Sequence, residues 1–210
     1  GLAFLTMGLG LGAFWAFHSL GWGGWWFFDP VENTAALPWL SLLGLIHMQN
    51  RVRLQPTRVL QSFSFWFWLL TPGIWALVNT FLIRTGFFNS VHAFAEEPEK
   101  AIALCCALGF FLLVYLFWML PFGKLPKGEP LVEDAVGKGF QALFLFVVFC
   151  LVWGTLVPYF FFAWTGEEIA LGELYFQKTL FPCLFVFLFL LLLGTPLSKE
   201  GVPLLVVGIG

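Results

Sequence analysis

The sequence predicts an all-α polytopic membrane protein of about six transmembrane helices, with an outer-side tryptophan-rich loop and a short interfacial helix. Three observations predict the membrane architecture. Hydrophobic residues make up 60% of the 210 and charged residues only 10%. A soluble domain of that length could not bury so much apolar surface, because a globule leaves much of its side-chain area outside. Second, apolar runs recur that are long enough to cross about 30 Å of hydrocarbon, at roughly 20 residues of helix each. Third, basic residues divide unevenly between alternate loops, the asymmetry that the positive-inside bias produces.

In chain order, the spans are expected at Leu2 to Leu20, Ala36 to Asn50, Leu60 to Ile83, Ala101 to Leu120, Phe140 to Trp164 and Lys178 to Gly194. The second is short, so its start reaches back into the preceding loop. A further span is expected to begin near Val202. The chain starts without a methionine or a charged signal-peptide flank and ends in VPLLVVGIG, so it reads as a piece of a longer protein or one half of a split one. Two regions are expected. Residues 1–100 hold the tryptophan loop (21–39) and a histidine loop (84–100), and residues 101–210 form a C-terminal helical membrane region.

Alternation of six spans sorts the loops into two sets. One holds Arg51, Arg53, Arg58, Lys124, Lys127, Lys138 and Lys199, and the other only Arg84, Lys100 and Lys178. The richer set is placed in the cytoplasm or the mitochondrial matrix. The poorer set faces the periplasm or intermembrane space, together with Asp29, Glu32, Glu96, Glu97, Glu99, Glu167, Glu168 and Glu173. The tryptophan and histidine loops therefore share the outer side. A net charge of −2 argues against a nucleic-acid partner. Cys105, Cys106, Cys150 and Cys183 lie in apolar runs without a CxxC pair and are expected to pack as small hydrophobes.

Between the first two spans stands WGGWWFFDP, residues 22–30. Trp22, Trp25, Trp26 and Trp39 suit an interfacial aromatic belt. Three tryptophans in five positions around Gly23 and Gly24 suit a platform for a flat ligand equally well, because glycine lets backbone approach closely and aims neighbouring rings. Asp29, Pro30 and Glu32 fit a helix N-cap, the first helical position and the third, which is a capping box. A short surface helix is expected to start there, with Pro38 starting or kinking the second span.

Three histidines are candidate ligands. His47 lies inside the second span, about eleven residues or roughly 16 Å of helix from Ala36. An ionisable intramembrane side chain is a functional hypothesis by default. It reads as a haem-iron ligand or as an imidazole bonded to a neighbouring helix. His92 stands in FFNSVHAFAEEP on the outer side, and His18 reads as an interfacial side chain.

WGGWWFFDPVEN, followed by PWL and a histidine, resembles the tryptophan-rich WWD signature of haem-handling membrane proteins. The DPVEN continuation is more similar to the CcmF/NrfE branch, the cytochrome c haem lyases, than to the CcsA/CcsB branch. The likeness extends through SVHAFAEEP, WGTLVP, GELYF and the proline of LFP. The chain departs from the family at Phe28, where tryptophan is usual, and at Thr34-Ala35-Ala36-Leu37, where ASFM is common.

The resemblance implies that Trp22, Gly23, Gly24, Trp25, Trp26 and Asp29 form a haem-binding platform. It implies His47 as an axial ligand of a resident haem b, and His92 as a ligand of haem in transit. The partners implied are a CcmE-type haem chaperone, apocytochrome c, a CcmH-type thiol-handling subunit and the remaining segments of the same lyase. The function implied is presentation of haem to apocytochrome c for thioether attachment, together with a haem-reductase role. A haem transporter or exporter and a structural membrane subunit are the alternatives.

Overall fold

The computed structural model describes residues 1–21, 24–48, 62–86, 100–119, 135–169 and 171–194. Six helices occupy them: α1 (Leu2–Ser19), α2 (Pro30–Ile46), α3 (Phe63–Arg84), α4 (Ala101–Met119), α5 (Ala135–Thr165) and α6 (Glu173–Gly194). No strand occurs among the described residues. Four helices are long and apolar enough to cross a membrane: α1, α3, nearly all of α5 and α6. In α4 the apolar stretch is shorter, Ile102–Phe117.

The central helix is the least obvious one. α2 has 17 residues, about 25 Å at 1.5 Å per residue. It packs against α1, α3 and α5, while α4 lies on α3 and α6 lies on α5. Eight of its residues are buried, polar Asn33, Thr34 and Ser41 among them. The outer helices carry the lipid-like surface: Phe4 of α1 is 80% exposed and Leu113 of α4 is 67% exposed. Such faces suit hydrocarbon rather than water.

The helices approach closely where side chains are small, as membrane packing favours. A Cβ on Gly44 would fall on the Trp68 ring, which is itself buried. One on Gly154 would stand 2.7 Å from Phe176 Cε1, and one on Gly139 2.8 Å from Leu190 Cδ2. These contacts bind α2 to α3 and α5 to α6. Leu37, Leu40, Met48, Trp68, Phe140, Phe144, Leu151 and Phe176 form the core between them.

Several expectations are corrected. The short interfacial helix and the second span are one continuous helix, because Pro38 is accommodated inside α2. Its ring removes one hydrogen bond, but Pro38 is buried between packed neighbours that hold the helix together. Pro72, Pro158 and Pro182 are likewise carried inside α3, α5 and α6. α5 and α6 each begin five residues before the expected apolar edge, at Ala135 and Glu173. Trp39 is not at the membrane entry but within α2, where its Nε1 donates to Thr6 Oγ1 of α1 at 2.8 Å. Cys150 and Cys183 are buried as expected, whereas Cys105 and Cys106 are exposed on α4. The span expected near Val202 lies outside the described residues.

Candidate functional site

The turn between α1 and α2 is built from its helix cap. Asp29 Oδ1 accepts from the Val31 N–H at 2.9 Å. Glu32 Oε2 accepts from the N–H groups of Asp29 at 3.2 Å and Phe27 at 2.8 Å. The capping box read from the sequence is therefore present, and it holds one more residue than the usual pair. Two acids at the positive end of α2 also complement its dipole.

Between these anchors Phe28 adopts φ 56°, the left-handed region that non-glycine residues rarely enter. Its ring stacks on Phe176 of α6, centroids 4.8 Å apart and planes within 4°. Its carbonyl accepts from Asn33 Nδ2 at 2.8 Å, and the same amide donates to Thr155 Oγ1 of α5 at 3.0 Å. One residue along, Thr34 Oγ1 donates to Asn79 Oδ1 of α3 at 2.6 Å. A buried polar layer thus ties α2 to both neighbours just beneath the turn. Sequence reasoning missed Asn33 and Thr155. For Thr155 the available signal was a polar letter inside an apolar run, within WGTLVP, whereas Asn33 stands among polar neighbours in DPVEN.

The aromatic side chains do not share one face. Trp25, 53% exposed, stacks on Phe17 of α1 at 5.6 Å and 19°, with Phe14 at 5.9 Å. Trp26 is half-buried and lines a cavity of about 210 Å³ between α1 and α2, with Gly8, Gly12, Trp15, Val31 and Glu32. That is below the ~300–1,000 Å³ of ordinary cofactor pockets. The surface open to a flat ligand is therefore the Trp25 side of the turn. Phe28 faces inward, onto Phe176. Gly24 lies against Phe27, with a Cβ position 3.4 Å from its Cζ. Trp22 and Gly23 lie outside the described residues, as does His92. His18 is exposed on the last turn of α1, with the Phe14 ring 5.6 Å away.

At the far end of α2, His47 is the C-cap residue. It closes the helix rather than lying within it. Its Nδ1 is 2.8 Å from the Leu43 carbonyl oxygen. A carbonyl only accepts, so Nδ1 is the donor, and in the neutral tautomer this leaves the lone pair on Nε2. No hydrogen bond to Nε2 is seen among the described residues. Three phenylalanine rings surround the imidazole: Phe140 at 4.0 Å, Phe144 at 5.4 Å and Phe187 at 6.4 Å. Nearby, Ser64 Oγ donates to Gln141 Oε1 at 3.1 Å.

These residues fit a haem in part. An imidazole oriented by a carbonyl on Nδ1, with no partner on Nε2 among the described residues, is the arrangement found in metal-ligating histidines, and the aromatic surroundings suit a porphyrin face. Among the described residues no group of three or more His, Cys, Asp or Glu side chains could hold a bare metal ion. A lone imidazole fits iron carried in its own macrocycle better than a protein-made cage.

Comparison with known proteins was made on this basis. Residues 1–71 match the family described as cytochrome C assembly protein. The chain is 32% identical to the cytochrome c-type biogenesis protein CcmF of Pseudomonas fluorescens, over 96% of this chain and 30% of that protein. It is 35% identical to the cytochrome c-type biogenesis protein NrfE of Haemophilus influenzae, over 93% of this chain and 31% of that one. A probable NrfE of Escherichia coli K12 is 34% identical over 97% of this chain and 37% of its own length. No solved structure matches. The chain is thus similar, over nearly all its length, to about a third of each of these CcmF/NrfE-type relatives.

Proposed function

We propose that this chain is the haem-handling part of a cytochrome c haem lyase and works in cytochrome c maturation. The relatives it resembles are cytochrome c-type biogenesis proteins. The observation that carries the haem reading is His47, an imidazole with Nδ1 bonded to Leu43, no partner on Nε2 among the described residues, and phenylalanines around it.

In this reading His47 would hold the iron of a resident haem b, which would supply one-electron chemistry. Leu43 fixes the imidazole tautomer, and Phe140, Phe144 and Phe187 exclude water from it. At the other end of α2, about 25 Å away by helix rise, Trp25 offers an exposed ring for haem in transit. Trp26 and Phe28 turn inward and fix the backbone that presents it. Trp22, Gly23 and Gly24 complete the platform, and Asp29 acts as its cap. His92 is the ligand of the incoming iron. The chain orients haem for a CxxCH segment of apocytochrome c and provides no nucleophile of its own. Haem arrives on a CcmE-type chaperone, and a CcmH-type subunit presents the thiols. The tryptophan side faces the periplasm or the intermembrane space.

Transport is the weaker reading. A path for a polar substrate needs polar groups through the core. Here Asn33, Thr34 and Thr155 cluster at one end and Ser64 and Gln141 at the other. Between them lie Leu37, Leu40, Trp68, Phe144 and Leu151. Ser41 and Thr71 donate to their own helices.

The test is haem capture by the full-length protein. Trp25→Ala with Trp26→Ala is expected to weaken capture from the chaperone. His92→Ala is expected to abolish it while the resident b-type spectrum persists. Full capture in the double variant, or loss of both haem signals in His92→Ala, would overturn the assignment.

A further inference from the structure

We propose that Asn33 is the positioning residue of the tryptophan turn, holding its backbone in register and tying that register to α5. This rests on the proposed haem platform and deepens it, because neither the family match nor the residues first singled out give Asn33 a role.

The geometry is specific. Asn33 is 1% exposed. Both hydrogens of its amide are used, one on the Phe28 carbonyl at 2.8 Å and one on Thr155 Oγ1 at 3.0 Å. The carbonyl decides which way the amide faces, because turning it round would set oxygen against oxygen. That orientation leaves Oδ1 buried with no hydrogen-bond partner among the described residues. An unpaired buried acceptor is unfavourable, and a core that needed only to be filled would be better served by leucine. What the amide does, and leucine could not, is hold the Phe28 carbonyl.

Phe28 needs holding, since a phenylalanine at φ 56° persists only when its surroundings over-determine it. Glu32 takes the N–H groups of residues 27 and 29, Phe176 takes the ring, and Asn33 takes the carbonyl. Release of the carbonyl lets the peptide after Phe28 return to an ordinary conformation. Trp25 and Trp26, three and two residues upstream, would then lose their direction. Thr155 adds the second half: through the same amide the turn is registered against α5, the helix whose other end packs on His47. Asn33 touches no haem in this account. It acts through the turn.

The test uses full-length protein in lipid nanodiscs, labelled with 5-fluorotryptophan, with the Trp25 signal assigned by its loss in Trp25→Phe. Asn33→Leu is expected to move and broaden the Trp25 fluorine resonance. Thr155→Val, which keeps the volume and leaves the Phe28 contact, is expected to move it the same way by less. Both signals unmoved would overturn the proposal, and this readout stands even if no haem is captured.

With hemin as the probe, Asn33→Leu is expected to lower capture at least tenfold while the resident b-type absorbance is kept. In a Phe28→Gly background, where positive φ is free of strain, the same substitution is expected to lower it less than threefold. An equal loss in both backgrounds would show Asn33 acting elsewhere and would sink the idea. Wild-type protein that captures no hemin would refute the platform reading, with the fluorine shifts deciding Asn33 separately.

Discussion

The rings of His47 and Phe140 lie 4.0 Å apart, centroid to centroid, tilted by 35°. This contact joins the end of α2 to the second turn of α5. Phe140 also stacks on Phe144, at 6.2 Å and 17°, and meets Phe187 of α6 edge-on. One imidazole is thus lodged where three helices meet, with its hydrogen-bonding direction set by its own helix.

Phe140→Ala is expected to be costly for that reason. The side chain is 4% exposed, and emptying such a site removes about 3–5 kcal/mol of stability. Denaturant or SDS titration of the purified protein should show the lower midpoint. An unchanged midpoint would mean that the aromatic cluster is not packed as described.

Gly44→Ala sets two effects against each other. Alanine favours a helix over glycine by about 1 kcal/mol. Yet the new methyl would fall on the Trp68 ring, and overpacking of this kind costs roughly 1–3 kcal/mol or more. Trp68 is enclosed on its other sides and cannot step back. The net effect is destabilising, and Trp68→Leu in the same chain should recover part of it. A stabilised Gly44→Ala protein would contradict the α2–α3 contact.

Asp29 is a cap in this structure and a platform residue by family resemblance, and two substitutions separate the roles. Asparagine caps as well as aspartate, while alanine loses about 1 kcal/mol. If capping is the role, Asp29→Asn keeps haem capture and Asp29→Ala loses part of it. If its charge contacts the ligand, both lose it equally. Haem transfer from the chaperone is the measurement.

The other helices were legible as apolar runs near the length that crosses a bilayer, and for the shorter α2 Asp29 and Glu32 announced its start. What was not legible depended on the third dimension. Pro38 looked like a boundary because proline ends isolated helices, but the buried setting of α2 overrides that preference. Trp39 looked like part of the belt because it follows the loop in sequence, although its ring turns to Thr6 in α1. The inward rotation of Phe28 follows from a positive φ that no spacing rule reveals. Asn33 was read as one letter of a motif. Its partner Thr155 is 122 residues away, beyond the reach of any local pattern.

Trp25 should matter for ligand and not for folding. Its ring is more than half exposed and rests on Phe17. Surface truncations away from special features usually change stability by less than about 0.5 kcal/mol. Trp25→Ala is therefore expected to keep the wild-type unfolding midpoint while capturing less haem. A large drop in midpoint would make it a structural ring instead.

The central claim is that His47 binds haem. The most direct measurement is the pyridine haemochrome and reduced-minus-oxidised spectrum of the chain, expressed with the segments its longer relatives carry, for wild type and His47→Ala. The account predicts a b-type signal that disappears in the variant and returns when imidazole is supplied. A folded wild type without haem, or a signal unchanged by the substitution, would contradict it.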